Sequence, residues 1–132
     1  MLATEKLPYY SLKDYLKERY GRRVQKITVA LPFTCPNIDG TKARGGCTYC
    51  FSGTRPAHLE PYIPLKQQIE EGVRRAKNRY GEKILFFIYY QSYSNTYGEY
   101  EYLRSIYDTA LEFEEVVGID VGTRPDCAPE WV

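Results

Sequence analysis

The chain has 132 residues, with 18 Lys and Arg against 17 Asp and Glu and a net charge of +1 at neutral pH. With both signs mixed along the chain, that balance excludes a globally basic nucleic-acid-binding protein and leaves only a local patch open. Its 43% hydrophobic and 27% charged residues belong to a folded globular domain rather than a disordered tail.

No stretch approaches the ~20 apolar residues that span a bilayer, and the N-terminus lacks the charged segment, apolar core and cleavage site of a leader. The expectation is an unprocessed cytoplasmic protein with no membrane association. Four cysteines in that setting argue for metal or redox chemistry before structural disulfides. Fourteen tyrosines suit amphipathic packing, ring buried and hydroxyl wet.

Ser11, followed by Asp14, predicts a capped helix start, and Gly21 its end. Residues 24–32 read as a strand whose ladder Pro32 closes. From Phe33 to about Pro61 no period persists. Gly40, Gly45, Gly46 and Gly53 with Pro36 and Pro56 mark a long loop, of a length that compact domains keep for function or leave disordered.

A helix is predicted over 64–80, with Leu65, Ile69 and Val73 on one face and Gly81 as its stop. Residues 83–90 are so uniformly apolar that they predict a strand buried on both faces. A second long helix is expected over 99–113, its stripe made of Leu103, Ile106, Tyr107, Ala110 and Leu111. Residues 116–121 form a third strand, and Pro129 is placed to start another helix.

Strands alternating with helices predict right-handed βαβ units and a parallel α/β sheet. Three such strands leave both edges open. The chain therefore reads as the N-terminal portion of a longer α/β barrel, truncated after the third strand.

The central signal is Cys35-Pro-Asn-Ile-Asp-Gly-Thr-Lys-Ala-Arg-Gly-Gly-Cys47-Thr-Tyr-Cys50. Two cysteines two residues apart can bind one metal centre from a tight turn, and a third upstream can complete a three-thiolate face. Gly45 and Gly46 allow the backbone close to a bulky cluster. A structural zinc site usually takes four ligands from two such pairs. Here there is one pair, with Cys127 in another strand-end loop and His58 as the chain's one histidine. Three thiolates suit a four-iron cluster with one open iron. Zinc, a thiol-redox pair and inert buried cysteines remain alternatives. The loop follows the first strand, at the end where α/β barrels carry their chemistry.

These residues resemble the radical S-adenosylmethionine superfamily, and within it the YhcC/YtqA-type proteins related to the elongator catalytic-subunit-like group. The match is carried by Cys35-Pro-Asn with Asp39-Gly40-Thr41, Gly45-Gly-Cys-Thr-Tyr-Cys50, Gln91-Ser-Tyr-Ser-Asn-Thr-Tyr97 and Gly118-Ile-Asp-Val-Gly-Thr-Arg-Pro-Asp-Cys127. The resemblance implies a partial (β/α)6, TIM-like barrel. Residues 1–23 would be a helical lead-in and 24–132 an incomplete radical S-adenosylmethionine core.

It further implies that Cys35, Cys47 and Cys50 bind a [4Fe-4S] cluster whose fourth iron holds S-adenosylmethionine. Reductive cleavage would give a 5′-deoxyadenosyl radical for hydrogen abstraction. Tyr49 would lie against the adenine, Gln91 and Ser92 near the amino group, and Thr123 and Arg124 near the ribose, the carboxylate or the substrate. The implied electron donor is of flavodoxin or ferredoxin type, and the implied substrate class is tRNA modified at wobble uridine. Eleven residues separate the first two cysteines, more than the commonest superfamily spacing and in keeping with this subgroup. The competing readings are a zinc module contacting nucleic acid or protein, and an inactive fragment.

Other residues carry more than one reading. Cys127 is a fourth ligand, a reactive thiol near the site, or a residue of the barrel rim with no ligand role. His58 is a proton donor, a zinc ligand or a surface residue, and Arg44 a neutraliser of the cluster loop or a solvated side chain. Lys66, Arg74, Arg75, Lys77 and Arg79, interleaved with Glu70 and Glu71, form a phosphate-binding face or a solvated helix. Tyr89, Tyr90, Tyr93 and Tyr97 stack on a base or pack the core.

Overall fold

Ser11 sets the start of the first helix. In the computed structural model, which describes residues 7–31, 40–44, 63–91 and 94–132, its hydroxyl accepts from the Asp14 N–H at 3.1 Å. That satisfies one of the orphan donors of a helix N-terminus. The helix, α1 (Leu12–Tyr20), closes on Gly21, whose φ of 72° is the left-handed conformation that glycine adopts without a Cβ penalty.

β1 (Val24–Val29), α2 (Leu65–Tyr80), β2 (Leu85–Tyr90), α3 (Tyr100–Leu111) and β3 (Val116–Val121) follow, then a 3-10 turn over Pro125–Cys127. The strands form one open parallel sheet in the order β1-β2-β3. The predicted α/β class is therefore observed as a small mixed α/β fold. Beyond β3 the chain forms the 3-10 turn, and Pro129 opens a single turn closed by the Val132 N–H on its carbonyl. One local expectation is corrected. β1 ends at Val29, short of the predicted 32, with Ala30 and Leu31 buried just beyond it.

Both crossover helices lie on one face of the sheet and touch each other. Ile69 of α2 and Leu103, Ile106 and Ala110 of α3 join Ile27, Val29, Phe86, Ile88 and Tyr90 in one buried cluster. Each large side chain removed from water there contributes about 1.5–3 kcal/mol. Leu111, expected on this stripe, is exposed, because the helix ends with it at the surface. Gly72 allows the close approach of α2 to β1: a Cβ on it would stand 2.4 Å from Ile27 Cγ2.

The prediction of a strand buried on both faces is also corrected. β2 alternates, with Phe86, Ile88 and Tyr90 buried and Leu85, Phe87 and Tyr89 half-buried. The second group points to the face opposite α2 and α3, where α1 covers only one end. The Tyr20 ring meets Phe87 edge-on at 6.3 Å. On the same face Lys26 and Asp120 form an ion pair at 2.8 Å, with the Lys26 ammonium 5.0 Å from the centre of the Tyr89 ring. Among the described residues, no helix is long and apolar enough to cross a membrane.

Candidate functional site

At the C-terminal ends of the strands, side-chain amides and hydroxyls take over from the ladder. Gln68, buried in the first turns of α2, accepts from the Ala30 N–H at 2.8 Å and donates to the Ala30 and Ile63 carbonyls, each at 2.8 Å. One amide thus holds the chain where it leaves β1 and where it returns to enter α2. The whole cysteine loop is strung between those two points.

Asn95 performs a similar task between β2 and β3. Its Nδ2 donates to the Tyr90 carbonyl at 3.1 Å and to the Gly122 carbonyl at 2.9 Å, while the backbone adds Asn95 N–H to Gly122 O and Gly122 N–H to Tyr90 O, both 3.0 Å. The Tyr107 hydroxyl donates to the Asn95 carbonyl at 2.6 Å, and Tyr90 to the Ile106 carbonyl at 2.9 Å. These bonds fasten α3 under the loop. Tyr90 is fully buried, and burial, then the neighbouring Tyr107, pushes its hydroxyl pKa up. Of the four tyrosines proposed for stacking, Tyr90 is a packing residue.

Thr123 and Arg124 follow β3. The Thr96 hydroxyl donates to the Cys127 carbonyl, so its single proton is committed and Thr123, 2.6 Å away, must be the donor between the two. Thr123 keeps lone pairs to accept from an ammonium or hydroxyl but has no second proton to give. Arg124 forms a two-pronged pair with Asp126, Nε at 2.9 Å and Nη2 at 2.8 Å. Asp126 also receives Lys42 at 2.5 Å. Arg124 first and then Lys42 hold the Asp126 carboxyl well below the usual carboxylate range.

Lys42 belongs to the stretch between Cys35 and Cys47. Its neighbour Thr41 lies 3.1 Å from the Tyr97 hydroxyl, so residues 41 and 42 connect to the loops that follow β2 and β3. Gln91 is half-buried at the end of β2, its N–H 3.5 Å from the Val29 carbonyl. Cys127 is 5% exposed, inside the 3-10 turn rather than on an open rim. Arg44 is exposed.

Cys35, Cys47, Cys50, Tyr49, Ser92, Tyr93 and His58 lie outside the described residues. Among the described residues no group of His, Cys, Asp and Glu is placed to hold a metal ion. Sequence reasoning passed over Gln68, Asn95 and Asp126. For Gln68 the signal was its position: it stands three residues after Leu65 and four before Gly72, inside the apolar stripe of α2.

The chain is 38% identical to protein YhcC of Escherichia coli K12 over 120 residues, covering 89% of this chain and 37% of YhcC. It is 36% identical over 132 residues to protein YtqA of Bacillus subtilis 168, covering 94% of this chain and 38% of that protein. To MJ0486 of Methanocaldococcus jannaschii it is 36% identical over 116 residues, 86% of this chain and 34% of the other. The chain thus spans little more than a third of the length of these curated relatives. No protein-family model matches it, and no solved structure does either.

Proposed function

We propose that this chain supplies the first three strands of a partial (β/α)6 barrel in a radical S-adenosylmethionine enzyme, with Cys35, Cys47 and Cys50 as ligands of a [4Fe-4S] cluster. One observation carries the reading beyond the cysteine spacing. Thr41 and Lys42, from within the cysteine loop, are bonded to Tyr97 and Asp126, from the loops after β2 and β3. A loop held over the C-terminal end of a parallel sheet is where α/β barrels assemble their sites. Two crossover helices on a single face suit a sheet that curls into a barrel. The half-buried Phe87 and Tyr89 and the Lys26–Asp120 pair would then line its interior.

The donor set fits the group: three thiolates would leave one iron for a non-protein ligand, and the exposed Arg44, from the same loop, would offset part of the negative charge of a thiolate-bound cluster. Bound there, such a cluster would supply one-electron reduction of the sulfonium of S-adenosylmethionine, with Cys35, Cys47 and Cys50 holding it. The protein's own work is orientation and exclusion of water. Gln68 fixes the two ends of the loop, Asp126 and Tyr97 fix its middle, and Thr123 offers an acceptor at the mouth of the sheet. Tyr49, Gln91, Ser92 and Arg124 complete the proposed cofactor contacts, with Arg124 reaching the cofactor only by sharing or leaving Asp126. A flavodoxin- or ferredoxin-type donor, a tRNA substrate and a cytoplasmic location belong to the same proposal.

Anaerobic reconstitution with iron and sulfide, followed by electron paramagnetic resonance of the reduced protein, tests it. A [4Fe-4S]⁺ signal that shifts on adding S-adenosylmethionine is expected, as is its loss in Cys47→Ala but not in Cys127→Ala. Full iron content in Cys47→Ala, or a colourless protein with stoichiometric zinc, would overturn the assignment.

A further inference from the structure

Net charge is +1 over the whole chain, yet the charges are not evenly distributed around the fold. Two grooves flank β1, the strand whose outer edge has no strand partner among the described residues. One, of about 340 Å³, runs between β1 and α2. The other, of about 560 Å³, runs between β1 and α1, and the two meet at Gln25 and Lys26.

Their linings include Lys13, Lys17, Arg23, Lys26, Arg75 and Arg79, and no Asp or Glu. Of these six cations only Lys26 makes an ion pair with a carboxylate among the described residues, through Asp120. Three of the four carboxylates on these two helices are engaged elsewhere: Glu18 with Tyr10, Asp14 with Ser11, and Glu71 with Gln67. Lys77, from the same basic run as Arg75 and Arg79, is paired with Glu115 at 2.6 Å. The run is therefore split, one part serving the fold and one part facing the groove.

The arginines are also partly ordered. The Arg23 guanidinium stacks on the Tyr80 ring at 3.8 Å, and that of Arg79 lies 5.2 Å from the same ring. A guanidinium held by its face leaves its N–H edge for a ligand, and that planar fork matches two oxygens of one phosphate. Six residues of extended strand measure ~20 Å. At ~3.4 Å of axis per phosphate in one strand of a duplex, that edge spans about six phosphates, beside five cations that form no ion pair among the described residues.

We propose that the β1 edge, with the grooves on either side of it, is a docking surface for the phosphate backbone of a nucleic acid. The inference stands whether or not the cysteine loop holds a cluster, because none of its residues belongs to that loop. A backbone reader of this kind gives affinity and orientation without base specificity.

Binding of the 132-residue chain to a fluorescein-labelled 20-nucleotide RNA, followed by anisotropy over a series of salt concentrations, tests it. Two triple variants of equal net charge are compared: Lys17→Gln/Arg75→Gln/Arg79→Gln in the grooves, and Lys66→Gln/Arg74→Gln/Arg104→Gln outside them. Far-UV circular dichroism confirms that both remain folded. The groove variant should bind at least tenfold more weakly at low salt, with the salt slope reduced by about two, at ~0.7 per single-strand phosphate contact. The outer variant should stay within twofold of the parent. An equal loss in both variants, absence of RNA binding by the parent, or competition by polyglutamate as effective as by unlabelled RNA would each overturn the proposal. The last outcome would assign the surface to acidic polypeptides.

Discussion

The side-chain amide of Gln68 bonds both backbone polar groups of Ala30, each at 2.8 Å, and so fixes the point at which the chain leaves the sheet. The same nitrogen also reaches the Ile63 carbonyl. A buried amide placed this way acts as an extra ladder rung between a strand and a helix.

Replacing Gln68 by Met keeps the volume and removes all three bonds. The two buried backbone groups of Ala30 and the half-buried Ile63 carbonyl then lose this partner, and the expected cost is about 2–4 kcal/mol, since each unsatisfied buried group costs ~1–3 kcal/mol and some relaxation follows. Urea denaturation measures it. A change below ~0.5 kcal/mol, the scale of an indifferent surface substitution, would mean that the amide is incidental.

Gly72 tests the packing of α2 on β1. On helix propensity alone Gly72→Ala should stabilise by ~1 kcal/mol. The 2.4 Å approach of the added Cβ to Ile27 Cγ2 instead predicts net destabilisation of about 1–2 kcal/mol, because overpacking a filled contact costs ~1–3 kcal/mol. Thermal melts of the variant decide the sign, and a higher melting temperature would refute the contact.

Tyr90 links the core to alkaline stability. Its hydroxyl is raised above the ordinary tyrosine value by burial, so the unfolded state ionises first. The stability it contributes is complete below about pH 10 and is lost as pH rises through the folded value. Tyr90→Phe should cost about 1–2 kcal/mol at pH 7, where the buried bond to the Ile106 carbonyl is lost. Its stability should also fall less steeply above pH 10 than that of the parent. Parallel curves for the two proteins would exclude Tyr90 as a source of the alkaline limb.

Asp126 predicts the opposite dependence. Arg124 and Lys42 depress its folded-state pKa, so its contribution is present above the unfolded value near ~4 and is lost as pH falls below it. The melting temperature of Asp126→Asn should lie below that of the parent at pH 7, with the gap closing toward pH 2 and shrinking in high salt, as for an exposed ion pair. A gap unchanged between pH 7 and pH 2 would show that the charge on Asp126 is not what binds Lys42.

The local elements were legible because their signals are local. Ser11 and Gly21 mark the ends of α1, and Gly81 closes α2 at the predicted residue. The alternation in β2 was hidden because Leu85, Phe87 and Tyr89 are as apolar as their buried neighbours. Residue type reports what a face can bury, and here one face is covered by two helices and the other by part of one. The cysteine signal rests on spacing alone, and Cys35, Cys47 and Cys50 lie outside the described residues. The bonds around the loop were not legible, since Lys42 and Asp126 stand 84 residues apart and their pairing depends on where β3 ends.

The amide that ties Ala30 to Ile63 also separates two quantities that chain connectivity would otherwise couple. Between Leu31 and Ile63 run 31 residues, tied to the frame at the two ends by Gln68 and between them through Thr41 and Lys42. Doubling such a stretch costs only ~0.6 kcal/mol in closure entropy. Insertions and deletions on either side of Thr41 and Lys42 should therefore be tolerated, provided those two residues keep their bonds to Tyr97 and Asp126. In proteins built on this frame, cysteine spacing should vary by insertion and deletion while the residue at the position of Gln68 stays fixed.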